Sequence, residues 1–167
     1  MSDEILSLIK KKKSSKKENQ VVAKKATWLI FTIGANEDKV LCALPAGQVK
    51  EILRDSTIFP LPFVPSYVDG VLNRYGDPYV VIDPAVITGK PAQKTLLFIV
   101  INDETHTCLR INDVKDFYTA AESDVVRFSE EEESAYFEGT LFFNGQNALV
   151  LKTQAFLNKV GQDIAVS

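Results

Sequence analysis

Beyond residue 26 the chain is a succession of short runs rich in Val, Ile, Leu, Phe, Tyr and Thr, separated by turn clusters at roughly ten-residue spacing. That spacing constrains the fold more than any single residue does. Runs of this length and composition suit strands, and the regular turn signals between them point to small barrels or sandwiches with helix a minor component. The clearest hairpin lies in FFNGQNALVL, where Asn144 and Gly145 tolerate the positive φ of a tight primed turn. A second unit, PFVPSYVDGVLNRYGDPYVVID over residues 62–83, joins a Pro-punctuated loop, a turn and a strand. Pro60, Pro62 and Pro65 hold the chain extended and remove backbone donors, so residues 60–65 are expected to cross a barrel edge as a loop. Ser66 is expected to cap one helical turn that Gly70 ends, and Tyr79 to Ile82 to form a β-branched strand.

At 167 residues, 46% of them hydrophobic, the chain can bury a real core as one domain or two small subdomains. The polar stretch TGKPAQK, residues 88–94, divides the β-rich body into two similar halves and reads as a junction. The expected organisation is a basic flexible tail over 1–26, a first β-barrel subdomain over 27–93, and a second over 94–167 that ends in a short helix, Thr153 to Val160. Weak strand-order similarity between the halves fits a duplicated barrel, although no convincing repeat is visible. Cys42 and Cys108 each fall inside an expected strand and no secretory signal pattern is seen, which implies buried, reduced thiols in the cytoplasm. No apolar run approaches the roughly 18 to 20 residues of a spanning helix, so the chain is not expected to be integral to a membrane.

The net charge of -3 hides an uneven distribution. Residues 1–26 carry eight Lys against Asp3, Glu4 and Glu18, a net of +5, whereas the remaining 141 residues carry 11 basic and 19 acidic side chains, a net of -8. The tail segment ILSLIKKKK has the pattern of a short amphipathic helix for a partner or an anionic surface, but a like-charged disordered tail is the preferred reading, because about ten residues rarely hold a helix alone. An acidic body argues against nucleic-acid binding, which needs clustered cations; a small barrel using the basic tail for that purpose is the alternative function. Catalysis finds little support. His106 is the sole histidine, most simply a barrel-surface residue, and with Cys108 it makes at most two ligands, so no metal or cofactor is expected. The run SEEEES, residues 129–134, lacks the ligand spacing and turn Gly of a calcium loop and reads as a solvated connection.

The 62–83 unit resembles the CheW-like domain of bacterial chemotaxis coupling proteins, whose matching stretch runs through a Pro, a short helical turn, G-V-x-N-L-R-G and a strand ending in D-L. Gly70, Val71, Asn73, Gly76 and Asp83 match. The similarity extends in order through TWLIFTIG (27–34), KVLCALP (39–45), the V-x-E-I helical turn in VKEIL (49–53), TLLFIVI (95–101), LRINDVKDF (109–117), YFEGTLFF (136–143) and ALVLKTQAFL (148–157). Two places depart from the pattern: Tyr75 stands where the family has Arg, with Arg74 one position earlier, and Asp83 is followed by Pro84 rather than Leu.

The resemblance implies two small five-stranded SH3-like β-barrels, mostly antiparallel, packed side by side around a shared apolar layer. It implies a non-enzymatic scaffold, cytoplasmic and recruited to membrane-associated receptor arrays. Partners would be the regulatory domain of the chemotaxis histidine kinase, the cytoplasmic tips of methyl-accepting chemoreceptors, and other CheW-like proteins. By motif match, Val49, Glu51, Ile52, Gly70, Thr95 and Leu96 form the receptor-binding groove between the halves, with Glu51 free to pair with a basic receptor residue. Core packing competes for Val49, Ile52 and Leu96, and a positive φ for Gly70. Asn73, Arg74, Tyr75 and Gly76 form the turn that walls the groove. Tyr75 is expected to lay its ring on the loop around Pro62 and Pro65, leaving Arg74 to point outward.

Overall fold

The computed structural model describes residues 24–166. Most of the basic tail, including the helix considered for ILSLIKKKK, lies outside the described residues. The chain forms strands β1 (Lys25–Ile33), β2 (Val40–Pro45), β3 (Val49–Arg54), β4 (Val68–Arg74) and β5 (Asp77–Ile82), then the single-turn helix α1 (Pro84–Ile87). Strands β6 (Leu97–Ile101), β7 (Thr107–Ile111), β8 (Asp113–Ala121), β9 (Val125–Arg127), β10 (Phe137–Phe143) and β11 (Gln146–Leu151) follow, and helix α2 (Thr153–Val166) ends the chain. The fold is the expected all-β pair of SH3-like barrels with a C-terminal helix, which continues past Val160 to Val166. Lys25 and Ala26, assigned above to the tail, already belong to β1.

One sheet has six strands in the order β8-β1-β2-β11-β10-β9, and the other has five in the order β3-β6-β7-β5-β4. The sheets therefore do not divide the chain at residues 93 and 94. The chain starts in the six-stranded sheet, crosses after β2, builds the whole five-stranded sheet from β3 to β7, and crosses back at Asn112. Strand pairing explains why the polar junction is not the boundary: β6 lies between β3 and β7, so residues on both sides of the junction share one sheet.

Alternation along the strands places the core in three layers. On β1, Leu29, Phe31 and Ile33 face a cluster shared by both sheets, while Trp28 and Ile30 face the interior of the six-stranded barrel. On β6, Leu97, Ile99 and Ile101 face the shared cluster, while Phe98 and Val100 face the interior of the five-stranded barrel. Strands buried on both faces need apolar residues at every position, which is why LFIVI is unbroken. Helix α2 closes the shared layer with Phe156, Leu157 and Val160. Each fully buried Phe or Ile in these layers contributes about 1.5–3 kcal/mol of transfer free energy.

Both barrels solve one closure problem in the same way. Hairpin β4–β5 turns at Tyr75 and Gly76 (φ +51° and +87°), and hairpin β10–β11 at Asn144 and Gly145 (φ +50° and +79°). Each first strand carries a bulge just before a glycine: the register shifts between Val68 and Gly70, and between Phe137 and Gly139. Superposing the hairpins pairs Asp69 with Glu138, Gly70 with Gly139, Leu72 with Leu141, Gly76 with Gly145 and Val81 with Val150. The duplication left as a weak similarity by the sequence is thus a repeat of hairpin, bulge and turn. Ser66 caps no helix: the Val68 N–H donates to the Pro65 carbonyl in a turn, and Gly70 lies within β4 at φ +138°. VKEIL is likewise strand β3 and not a helical turn, because its residues pair with β6. Residues 60–65 form neither helix nor strand, and Phe59 just before them bridges to Val71 of the edge strand β4.

Candidate functional site at the edge of the five-stranded sheet

Strands β3 and β4 are the two edges of the five-stranded sheet, and a side-chain pair spans them. Arg74 Nε donates to Glu51 Oε2 at 2.5 Å, and one terminal nitrogen of Arg74 donates to the Tyr79 hydroxyl at 3.4 Å. The guanidinium carbon lies 4.8 Å from the Tyr75 ring centroid and 5.6 Å from that of Tyr79. The Arg74 side chain is 16% exposed and that of Glu51 30%, so water screens the pair only in part. The bond to Glu51 raises the guanidinium pKa further above its ordinary value. Tyr79 extends the stack to the exposed His106, with ring centroids 4.6 Å apart and nearly parallel at 14°.

The expectation for the turn is therefore reversed. Arg74 points inward onto Glu51, and Tyr75 stands 84% exposed at the hairpin tip. The cause is pairing parity: side chains alternate along β4, and Arg74 faces across the barrel opening toward β3 while the next residue is already in the turn. The Arg displaced by one position from the family pattern is the one that binds Glu51, so Glu51 already has a basic partner within the chain. Asn73 supports the turn, its Oδ1 accepting from the Gly76 N–H at 2.8 Å.

The six expected groove residues fall into five settings. Val49 and Ile52 are half-buried against the shared core, their cross-strand partners being Ile101 and Ile99. A register shift between Val49 and Glu51 puts Glu51 opposite Val100, whose side chain belongs to the other core layer, so Glu51 faces away from Val49 and Ile52. Gly70 is buried beneath the Phe59 carbonyl, where a Cβ would come within 2.2 Å of that oxygen. Thr95 is tied into the sheet: its hydroxyl donates to the Ile111 carbonyl at 2.6 Å, and its own carbonyl accepts from Arg110 Nε at 2.8 Å. The same Arg110 pairs with Asp69 at 3.2 Å, which links Thr95 to the residue beside Gly70. Burial pushes the Asp69 carboxyl up against the pull of Arg110. Leu96 is 42% exposed, and its carbonyl receives the Asp55 N–H at 2.8 Å.

Two features escaped sequence reasoning. The first is a buried polar hub. Asp83 caps α1 through the Ala85 N–H at 2.9 Å, accepts the Gln93 N–H at 2.8 Å and accepts Gln93 Nε2 at 2.8 Å. Gln93 also donates to the Arg110 carbonyl at 2.7 Å and accepts the Gly34 N–H at 3.0 Å, so one side chain ties the two sheets together. Pro84 after Asp83 becomes intelligible here, because proline suits the first position of a helix. The Asp-Pro signal was readable; nothing in TGKPAQK marked Gln93 as buried. The second feature is a cleft of about 660 Å³ between Gln48, the end of β6 at Ile101 and Asn102, and Thr153 and Leu157 of α2. None of the expected site residues lines it, and it is assembled from segments too distant in sequence to leave a local signal.

His106 and Cys108 do not form a site. Cys108 is buried in the barrel interior with its thiol pushed up to about 12 by burial, while His106 is exposed on Tyr79 just before β7. Cys42 is likewise raised by burial. Among the described residues no group of three His, Cys, Asp or Glu could hold a metal ion, and no helix is long and apolar enough to cross a membrane. The acidic run forms an exposed single-turn 3-10 helix at Glu130–Glu132, as suits a solvated connection.

Comparison with known proteins adds three findings. The family model of the CheW-like domain matches residues 27–161. Among solved structures, the scaffolding protein TtCheW from Thermoanaerobacter tengcongensis superposes with a TM-score of 0.66 at 18% identity, covering 77% of this chain and 90% of that one. No curated protein sequence matches the chain.

Proposed function

The chain belongs to the CheW-like domain family, and on that premise we propose that it is a non-enzymatic coupling scaffold between chemoreceptors and the chemotaxis histidine kinase. The carrying observation is the family match over residues 27–161, which spans both barrels and α2 as far as Gly161. A single core shared by the two barrels supports this reading, since it makes one stiff body with separate outer surfaces. Such a body adds no chemistry. It holds its partners in a fixed relation, so that a shift in the receptor biases the kinase through differential contacts.

One surface binds the kinase regulatory domain and another the helical receptor tip; other CheW-like proteins are further partners. The receptor surface is built on the edge of the five-stranded sheet, with Val49, Ile52 and Leu96 offering apolar contacts. Gly70 and Thr95 fix the backbone there, and the hairpin tip with the Glu51–Arg74 pair, Asn73, Tyr75 and Gly76 adds a second contact on the other face of β3. The protein works in the cytoplasm, recruited to receptor arrays. Calorimetry with the purified kinase regulatory domain tests the reading: binding at micromolar affinity or tighter is expected without nucleotide or metal, and no heat at about 50 μM would refute it.

A further inference from the structure

The two hairpin tips meet the same backbone demand with different residues. Asn144 holds φ +50° in one, and Tyr75 holds φ +51° in the other. Asn suits this left-handed position because its short polar side chain bonds locally, whereas a bulky residue is uncommon there. The second barrel thus serves as an internal control, showing that the turn itself does not call for Tyr. Burial does not offset the strain either, because Tyr75 is 84% exposed. What holds the ring is the Arg74 guanidinium 4.8 Å from its centroid, itself fixed by Glu51 and the Tyr79 hydroxyl. The guanidinium therefore biases the ring's orientation before any partner arrives, which lowers the conformational entropy lost when it is buried, and Tyr rings are favoured interface anchors. The cation beside it is already paired with Glu51. An aromatic face, not a charge, is what this tip presents.

We infer that Tyr75 is a partner-binding residue whose free ring face packs on an apolar stripe of the helical receptor tip, an inference that rests on the coupling function proposed above. It takes the place at which the family pattern has Arg, so this tip offers a ring in place of a cation. Binding of a soluble receptor-tip fragment to the unaltered protein, Tyr75→Asn and Tyr75→Phe tests it, at about 50 and about 500 mM salt. Tyr75→Asn copies the sister turn and keeps its melting temperature, yet binding weakens by about tenfold or more. The Phe variant stays within about twofold of the unaltered protein, since the ring and not the hydroxyl makes the contact. The ratio between Asn variant and unaltered protein is the same at both salt concentrations. Equal binding by the Asn variant overturns the anchor and leaves the coupling function standing, and a ratio that approaches one at high salt overturns the aromatic contact. Failure of the unaltered protein to bind the fragment overturns both readings.

Discussion

Replacing Gly70 and Gly139 by Ala, separately, probes the closure device that the two barrels share. A Cβ on Gly70 would stand 2.2 Å from the Phe59 carbonyl oxygen, and one on Gly139 would stand 2.3 Å from the Val126 carbonyl oxygen. Both obstacles are backbone atoms of the strand or segment crossing above, and neither can swing aside as a side chain tip would. At Gly70 the crossing segment must lift, which breaks the reciprocal Phe59–Val71 bonds of 2.7 and 2.9 Å at about 1 kcal/mol each. Gly70 also sits at φ +138°, a conformation that adds about 1–3 kcal/mol once a Cβ is present. The expected loss is about 3–5 kcal/mol for Gly70→Ala. Gly139 has no such φ, so Gly139→Ala loses only the local β9–β10 pairing, about 2 kcal/mol. Urea denaturation followed by the fluorescence of Trp28, the only tryptophan, measures both variants. A cost for Gly70→Ala below about 1 kcal/mol, or no greater than that of Gly139→Ala, would refute the reasoning.

Two further outcomes follow from particular contacts. Arg74→Ala lowers the denaturation midpoint through the lost charge-assisted bond to Glu51 and the lost stacking on Tyr79, while Tyr75→Ala leaves it nearly unchanged; denaturant melts of both decide it, and the opposite order would mean that Tyr75 holds the turn. The Tyr67 hydroxyl, which donates to Asp163 Oδ2 at 2.6 Å, is raised above its ordinary pKa of 10.0 first by burial and then by that bond. A phenol held protonated stabilises the docked helix α2 fully below pH 10, and the stabilisation disappears as pH rises through the higher folded value. Asp163 is lowered by the same bond, so its share is present above its ordinary pKa of 3.8 and is lost as pH falls through the lower folded value. Ultraviolet phenolate titration is expected to show one late-ionising tyrosine that Asp163→Asn brings earlier, and no change in that variant would remove the Tyr67–Asp163 contact from the account.

The fold was largely legible because strand runs and turn signals are local. LFIVI and the Asn144–Gly145 turn state their conformations within a few residues, and the structure carries both. What was misread depends on partners distant in sequence. Gly70 looked like the end of a helical turn because a glycine at positive φ has the same local signature at a helix terminus and at a bulge; only Phe59, eleven residues away, distinguishes them. The boundary at residues 93 and 94 followed polarity, yet Gln93 is polar because it is a buried hub and not because it is a linker. For the residues of the candidate site, the direction each side chain faces was not legible. The register shift in β3 turns Glu51 away from Val49 and Ile52, and pairing parity decides that Arg74 rather than Tyr75 meets it.

Sedimentation velocity on a mixture of this protein, the kinase regulatory domain and a soluble receptor-tip fragment tests the central claim most directly, because a coupling scaffold must hold both partners at once. A species containing all three components is predicted, without added nucleotide or metal, and its formation at partner concentrations of about 50 μM is expected for affinities in the micromolar range. Two binary complexes that exclude one another, or no complex with either partner, would contradict it.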